Sequence, residues 1–157
     1  MKKIVSMVSS ILIAVLVVVW IIATIPFAKN IDQEIDAVVY KDGAVIGETA
    51  VYMNGKKTRY LFRADSFVGE FRVYYAEKTD VDDLQTKIQW QKDSSIQRIS
   101  HFYKGNFTTS DERGIECNMM ISDDMKDFAV MTTNQEIIAT SYEIYDEYCK
   151  NLGILKC

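Results

Sequence analysis

The chain has one histidine, one proline and three cysteines among 157 residues. It has no run of basic residues and no Gly/Ser-rich stretch. Each scarcity excludes something. With His101 alone, a histidine-based zinc site needs cysteine ligands, and no two cysteines share a ligand-like spacing. Without a basic tract, nucleic acid is not an expected partner. There is no phosphate-binding glycine loop, no G-x-S-x-G elbow and no dinucleotide fingerprint. The sequence assigns no catalytic, cofactor-binding or metal-binding residue.

Charge is also absent from one long stretch. Lys2 and Lys3 are followed by 25 uncharged residues, Ile4 to Ala28. As a helix these would extend about 37 Å, against a hydrocarbon core of about 30 Å. Trp20 and Phe27 lie towards the far end, where aromatic rings favour the interface. Pro26 should end the helix. A signal peptide has a shorter apolar region, and neither Ala23 nor Ala28 closes a small-x-small cleavage site. The expectation is therefore an uncleaved signal anchor over residues 1–28, contacting lipid through residues 4–28. The basic start places the N-terminus in the cytoplasm and the remainder outside. Ser6, Ser10 and Ala14 recur at four-residue spacing, which would suit close helix–helix approach.

Residues 29–34 read as a short linker of at most about 20 Å. Residues 35–157 read as one domain. From residue 29 onward the chain carries all 22 acidic residues and all but two of the 18 basic ones, a net charge of −6.

Strand signals dominate this part. Ile35–Tyr40 leads into a turn at Lys41-Asp42-Gly43. Ala44–Met53 is followed by Asn54-Gly55, a strong hairpin signal, and by Thr58–Phe62. Phe67, Gly69, Phe71, Val73 and Tyr75 share one face, as in a half-buried antiparallel strand. Further strands are expected at Ile88–Gln91, Ile96–Tyr103, Ile115–Ile121, Phe128–Met131 and Glu136–Ala139. The sheet should have seven to nine strands, and in Ile115–Ile121 the residues Ile115, Cys117, Met119 and Ile121 should face inward. Tyr142, Tyr145, Tyr148, Cys149 and Leu152 fall at three- and four-residue steps, which indicates an amphipathic helix over 141–152. Thr140 with Glu143 has the spacing of a capping box, and Gly153 is placed to stop the helix. The fold class is α+β, mainly β: an N-terminal helix, one antiparallel sandwich-like sheet and a C-terminal helix.

The candidate reactive residues have plain structural readings. His101 falls in phase with Ile99 and Tyr103, as a strand residue. Cys117 reads as a small core hydrophobe, while Cys149 and Cys157 could form a disulfide that pins the chain end. Asp80, Asp82 and Asp83, like Asp123, Asp124 and Asp127, read as solvated turns, since neither group has a calcium-loop framework. Aromatics out of phase with a strand's apolar face, Tyr74 above all, are the candidates for an exposed contact patch. The expected function is a membrane-anchored extracytoplasmic binding domain. The alternatives are an envelope-acting enzyme using His101 or an acidic pair, and a secreted β domain if the N-terminal segment is cleaved.

Overall fold

The computed structural model describes residues 2–79, 81–103, 106–108 and 114–154; side chains are described for residues 8–22, 24–76, 78–79, 81–103 and 114–154. Helix α1 (Lys2–Thr24) comes first. Nine strands follow: β1 (Phe27–Lys41), β2 (Ala44–Arg59), β3 (Ser66–Val73), β4 (Leu84–Gln89), β5 (Ile96–Tyr103), β6 (Asn106–Thr108), β7 (Ile115–Ile121), β8 (Phe128–Thr132) and β9 (Ile137–Ala139). Helix α2 (Tyr142–Leu152) closes the chain.

Every strand pair is antiparallel, and the sheet returns on itself. β1 pairs with β2 along its whole length and with β9 at Val38–Tyr40. β4 pairs with β5 on the other side of the ring. β7 and β6 share the second edge of β5, at Ile96–Arg98 and His101–Tyr103. The result is a closed eight-stranded barrel with β6 as a short addition, rather than the sandwich-like sheet expected. Eight strands enclose a space just wide enough for side chains. Here Val39, Val51, Met53, Phe67, Phe71, Ile88, Ile99, Met119, Phe128, Val130 and Ile138 fill it.

Strand alternation puts the other residues outside. On β1, β7, β8 and β9 the outer face is also apolar: Tyr40, Met120, Ala129, Ile137 and Ala139. Helix α2 covers it with Tyr145, Tyr148 and Cys149. The helix starts one residue later than the capping-box spacing suggests. Ser141, not Thr140, is the cap, and its hydroxyl accepts from the Ile144 N–H. The Thr140 hydroxyl instead accepts from the Phe128 N–H at 3.2 Å, tying β8 to β9. Gly153 ends the helix in the left-handed region at φ 68°. Tyr142, expected on the buried face, is exposed.

Other boundaries move for identifiable reasons. Residues 29–34 are not a linker; they belong to β1 and pair with Lys57–Tyr52. Their polar side chains hid the strand, because among Phe27–Glu34 only Ile31 is fully buried. Asn54-Gly55 is not a turn but the middle of β2. The true hairpin is Asp42-Gly43, whose φ values of 49° and 80° suit a tight two-residue loop. Gly55 serves a different need. It lies opposite Gly69, and a Cβ on Gly55 would meet Val68 O at 2.5 Å and the Gly69 Cα at 2.6 Å. The Phe67 ring lies close over this gap. Two bare glycines let β2 and β3 approach closely where the wall curves.

In β7 the register shifts between Ile115 and Met119, so Cys117 is half-buried rather than fully inward. Cys117 is free and Cys149 is disulfide-bonded. Cys157, its expected partner, lies outside the described residues, as do Asp80, Lys104 and Gly105. α1 ends at Thr24, short of the residue 28 expected, because Phe27 and Ala28 begin β1 beyond Pro26. Side chains of α1 are described only for Val8–Ile22 and Thr24, and among the described residues no helix is long and apolar enough to cross a membrane. The small-residue pattern on α1 includes Ser6, whose side chain is not described.

Two outcomes follow from this packing. Gly69→Ala should lower unfolding free energy by about 3 kcal/mol through forced separation of β2 and β3. Gly47→Ala, with no atom within 4 Å of the added methyl, should change it little; denaturant titration of both variants compares them. The second concerns Tyr148, whose hydroxyl donates to the Asn118 carbonyl at 2.7 Å. Burial raises the pKa of Tyr148, Tyr145 and Tyr40 above the ordinary 10.0. The fold therefore holds these phenolic protons more tightly than the unfolded chain does. Their stabilising contribution is complete below pH 10 and is lost as pH rises above it. Tyr148→Phe should cost about 1 kcal/mol at neutral pH and flatten the alkaline fall, read by thermal melts across pH 8 to 11.

Candidate functional site

The barrel has two ends with different chemistry. At the end where β1 begins lie the β2–β3 and β4–β5 loops and the β7–β8 turn. At the other lie the Asp42-Gly43 hairpin, the β3–β4 connection and the β8–β9 turn.

The near end has a cleft of about 400 Å³ beside Trp90, Ser94 and Asp127, and the far end carries two polar clefts that meet. The β8–β9 turn is built by Thr132 and Glu136: the Thr132 N–H donates to the Glu136 carbonyl at 2.7 Å, and the Glu136 N–H to the Thr132 hydroxyl at 3.2 Å. Gln135 takes φ 63° to complete it. This turn points Glu136 inward, with only 8% of its surface exposed. The Lys41 ammonium sits 3.2 Å from its Oε1. Tyr75 donates its phenol to the same carboxylate, and this bond raises the Tyr75 pKa. Beside them opens a cleft of about 280 Å³ lined by Tyr75, Lys78, Gly114, Thr133 and Asn134. A second cleft of about 370 Å³, walled by Tyr40, Asp42, Met131 and Tyr145, meets the first at Asn134.

Around these clefts the surface is unusually apolar. Val45 and Ile46 beside the hairpin, Tyr74 and Tyr75 after β3, and Tyr142 on α2 are all exposed. Backbone bonds hold the tyrosine pair against β2: the Tyr74 N–H donates to Ala50 O at 3.2 Å, and the Tyr75 N–H to the Thr49 hydroxyl at 3.1 Å. Tyr74 is thus exposed, as its phase in the sequence indicated, but Tyr75, expected inward with Val73, is exposed too, because β3 ends at Val73 and the alternation stops there. The combination offers aromatic walls, a paired carboxylate and the exposed polar side chains of Thr133 and Asn134. Such a surface can bind.

The near end holds a buried lysine that the sequence reading missed. Lys57 follows Val51 and Met53 in phase, so alternation turns it inward. Its ammonium donates to the Asp123 carbonyl at 2.5 Å and stands 4.0 Å from the centre of the Trp90 ring. The Asp123 carboxylate is 3.7 Å away. Burial lowers the Lys57 pKa, and Asp123 opposes that shift. The in-phase spacing Val51, Met53, Gly55, Lys57 was the available signal. Asn54-Gly55, read as a turn, broke that phase.

The other candidates fall into structural positions. His101 is buried in β5 opposite Thr86 and lines neither cleft. Asp123 pairs with Lys57 and Arg59. Asp124 accepts from the Ser122 hydroxyl and the Lys126 N–H, which lowers its pKa and fixes the β7–β8 turn. Asp82 lies 3.9 Å from Arg72. Among the described residues, no three His, Cys, Asp or Glu side chains group as metal ligands.

Replacing Glu136 with Gln should remove the main cause of the Tyr75 shift. The Tyr75 pKa should then fall back towards 10.0, observed by NMR titration of its phenol carbon. Comparison of the chain with family models, curated proteins and solved structures finds no match in any of the three, so the reading of the site rests on its own geometry.

Proposed function

We propose that this protein is a single-pass, membrane-anchored binding domain whose barrel lies outside the cytoplasm and presents its far end to a partner protein. The observation that carries the reading is the grouping of exposed Val45, Ile46, Tyr74 and Tyr75 around the Glu136 cleft, at the end opposite α1. Aromatic residues with a few fixed polar groups are the usual composition of an interaction centre.

The anchor reading is supported by the backbone of α1, 23 residues or about 34 Å of helix. Its described side chains from Val8 to Ile22 are exposed and predominantly apolar around the whole helix, which suits lipid better than water. Lys2 and Lys3 support the orientation.

The test is a photo-crosslinking amino acid placed at Tyr74 or, as a control at the near end, at Gln89, in cells expressing the full chain. The Tyr74 position should yield a discrete heavier adduct in the membrane fraction, and the Gln89 position should not. Monomer alone from both, or adducts of equal intensity, would overturn the assignment of the far end.

A further inference from the structure

The near end has its own exposed apolar group, away from the cleft. Residues 60–65 connect β2 to β3, and Leu61 and Phe62 at their tip are 53% and 66% exposed. The loop is not loose. Asp65 closes its base by accepting from the Tyr60 N–H at 3.1 Å and the Arg59 Nε at 3.2 Å. The Asp65 carbonyl accepts from the Trp90 N–H at 3.0 Å, which ties the base to the end of β4. A rigid base that holds two large apolar side chains in the open costs stability in water.

The neighbour of this loop is the start of β1. Arg59 pairs directly with Phe27, itself exposed, and Phe27, Tyr60 and Leu61 line one shallow surface. Phe27 is three residues from the end of α1, at most about 10 Å of chain. The interfacial layer of a bilayer is itself about 6–8 Å deep on each side. A loop beside Phe27 therefore lies at that layer whenever α1 is in the bilayer. Its charge fits as well. The domain is acidic overall, and Arg59 here is paired with Asp65 and Asp123, yet Lys29, Lys56 and Arg63 add positive charge beside the loop. Apolar side chains flanked by cations match the acyl–headgroup boundary of a bilayer.

We infer that Leu61 and Phe62 insert into the interfacial layer of the bilayer that α1 enters, so that the barrel is seated on lipid at two points. The inference rests on the anchor reading above. Two contacts, unlike one, fix the tilt of the barrel and aim the Glu136 end away from the lipid.

Site-directed spin labelling of the full chain in vesicles of phosphatidylcholine with phosphatidylglycerol tests it. Labels go at Phe62→Cys, Leu12→Cys and Val45→Cys in a Cys117→Ala background, with the background chain as the labelling control. Accessibility to oxygen relative to a water-soluble nickel complex reports depth. The expected order is Leu12 deepest, Phe62 intermediate and several-fold above Val45, and Val45 in water. A Phe62 label as water-exposed as Val45, with Leu12 deep, overturns the inference and leaves the anchor standing. A water-exposed Leu12 label overturns the anchor, and the two-point seating with it. All three sites are exposed, so folding is not at stake.

Discussion

The ring is closed by three residue pairs. Val38, Val39 and Tyr40 of β1 meet Ala139, Ile138 and Ile137 of β9. Without that seam β1 and β9 would be open edges, and the interior would lose one wall. Three pairs are few, and the seam is braced from both sides. Val39 and Ile138 point into the barrel core. Tyr40 points out and stacks on Tyr145 of α2, with ring centres 4.4 Å apart. Thr140 then ties β9 to β8 immediately before α2 begins. α2 is thus part of how the barrel closes. This explains why β8 and β9, buried on both faces, read as unbroken apolar runs while β3 alternates.

The sequence shows which faces point inward much better than it shows which strands meet. Phe67, Gly69, Phe71 and Val73 are inward as their spacing indicates, and Gly153 stops α2 where a glycine should. Closure was not legible, because a seam of three pairs has no local signature. Asn54-Gly55 shows local propensity losing to a tertiary need. The dipeptide favours a turn, yet the close approach of Gly55 and Gly69 required glycine inside the strand. Lys57 was obscured by the same misreading. Glu136 appeared only as the first residue of a strand. Its partners Lys41 and Tyr75 lie 95 and 61 positions away in sequence, so nothing local could have grouped them.

The two ends of the barrel resolve buried charge differently. At the near end a lysine is held by a backbone carbonyl, an aromatic face and a carboxylate. At the far end a carboxylate is held by a lysine and a phenol. Each buried charge has its partners, as a low-dielectric position demands. These ionic groups finish the two ends of the core.

The continuity of β1 has a mechanical meaning. The chain leaves α1 and enters hydrogen-bonded strand within three residues. Load applied to the helix therefore falls first on the Phe27–Arg59 pair, and in an antiparallel ribbon that pair can open without disturbing the next. Tension peels β1 from β2 one pair at a time until it reaches Val38. There β9 grips the opposite edge, and the same pull must shear two sets of bonds together. The strand is no free leader: Ile31 and Ala37 must leave the core, and the Gln33–Met125 bond must break, before the pull reaches that clamp.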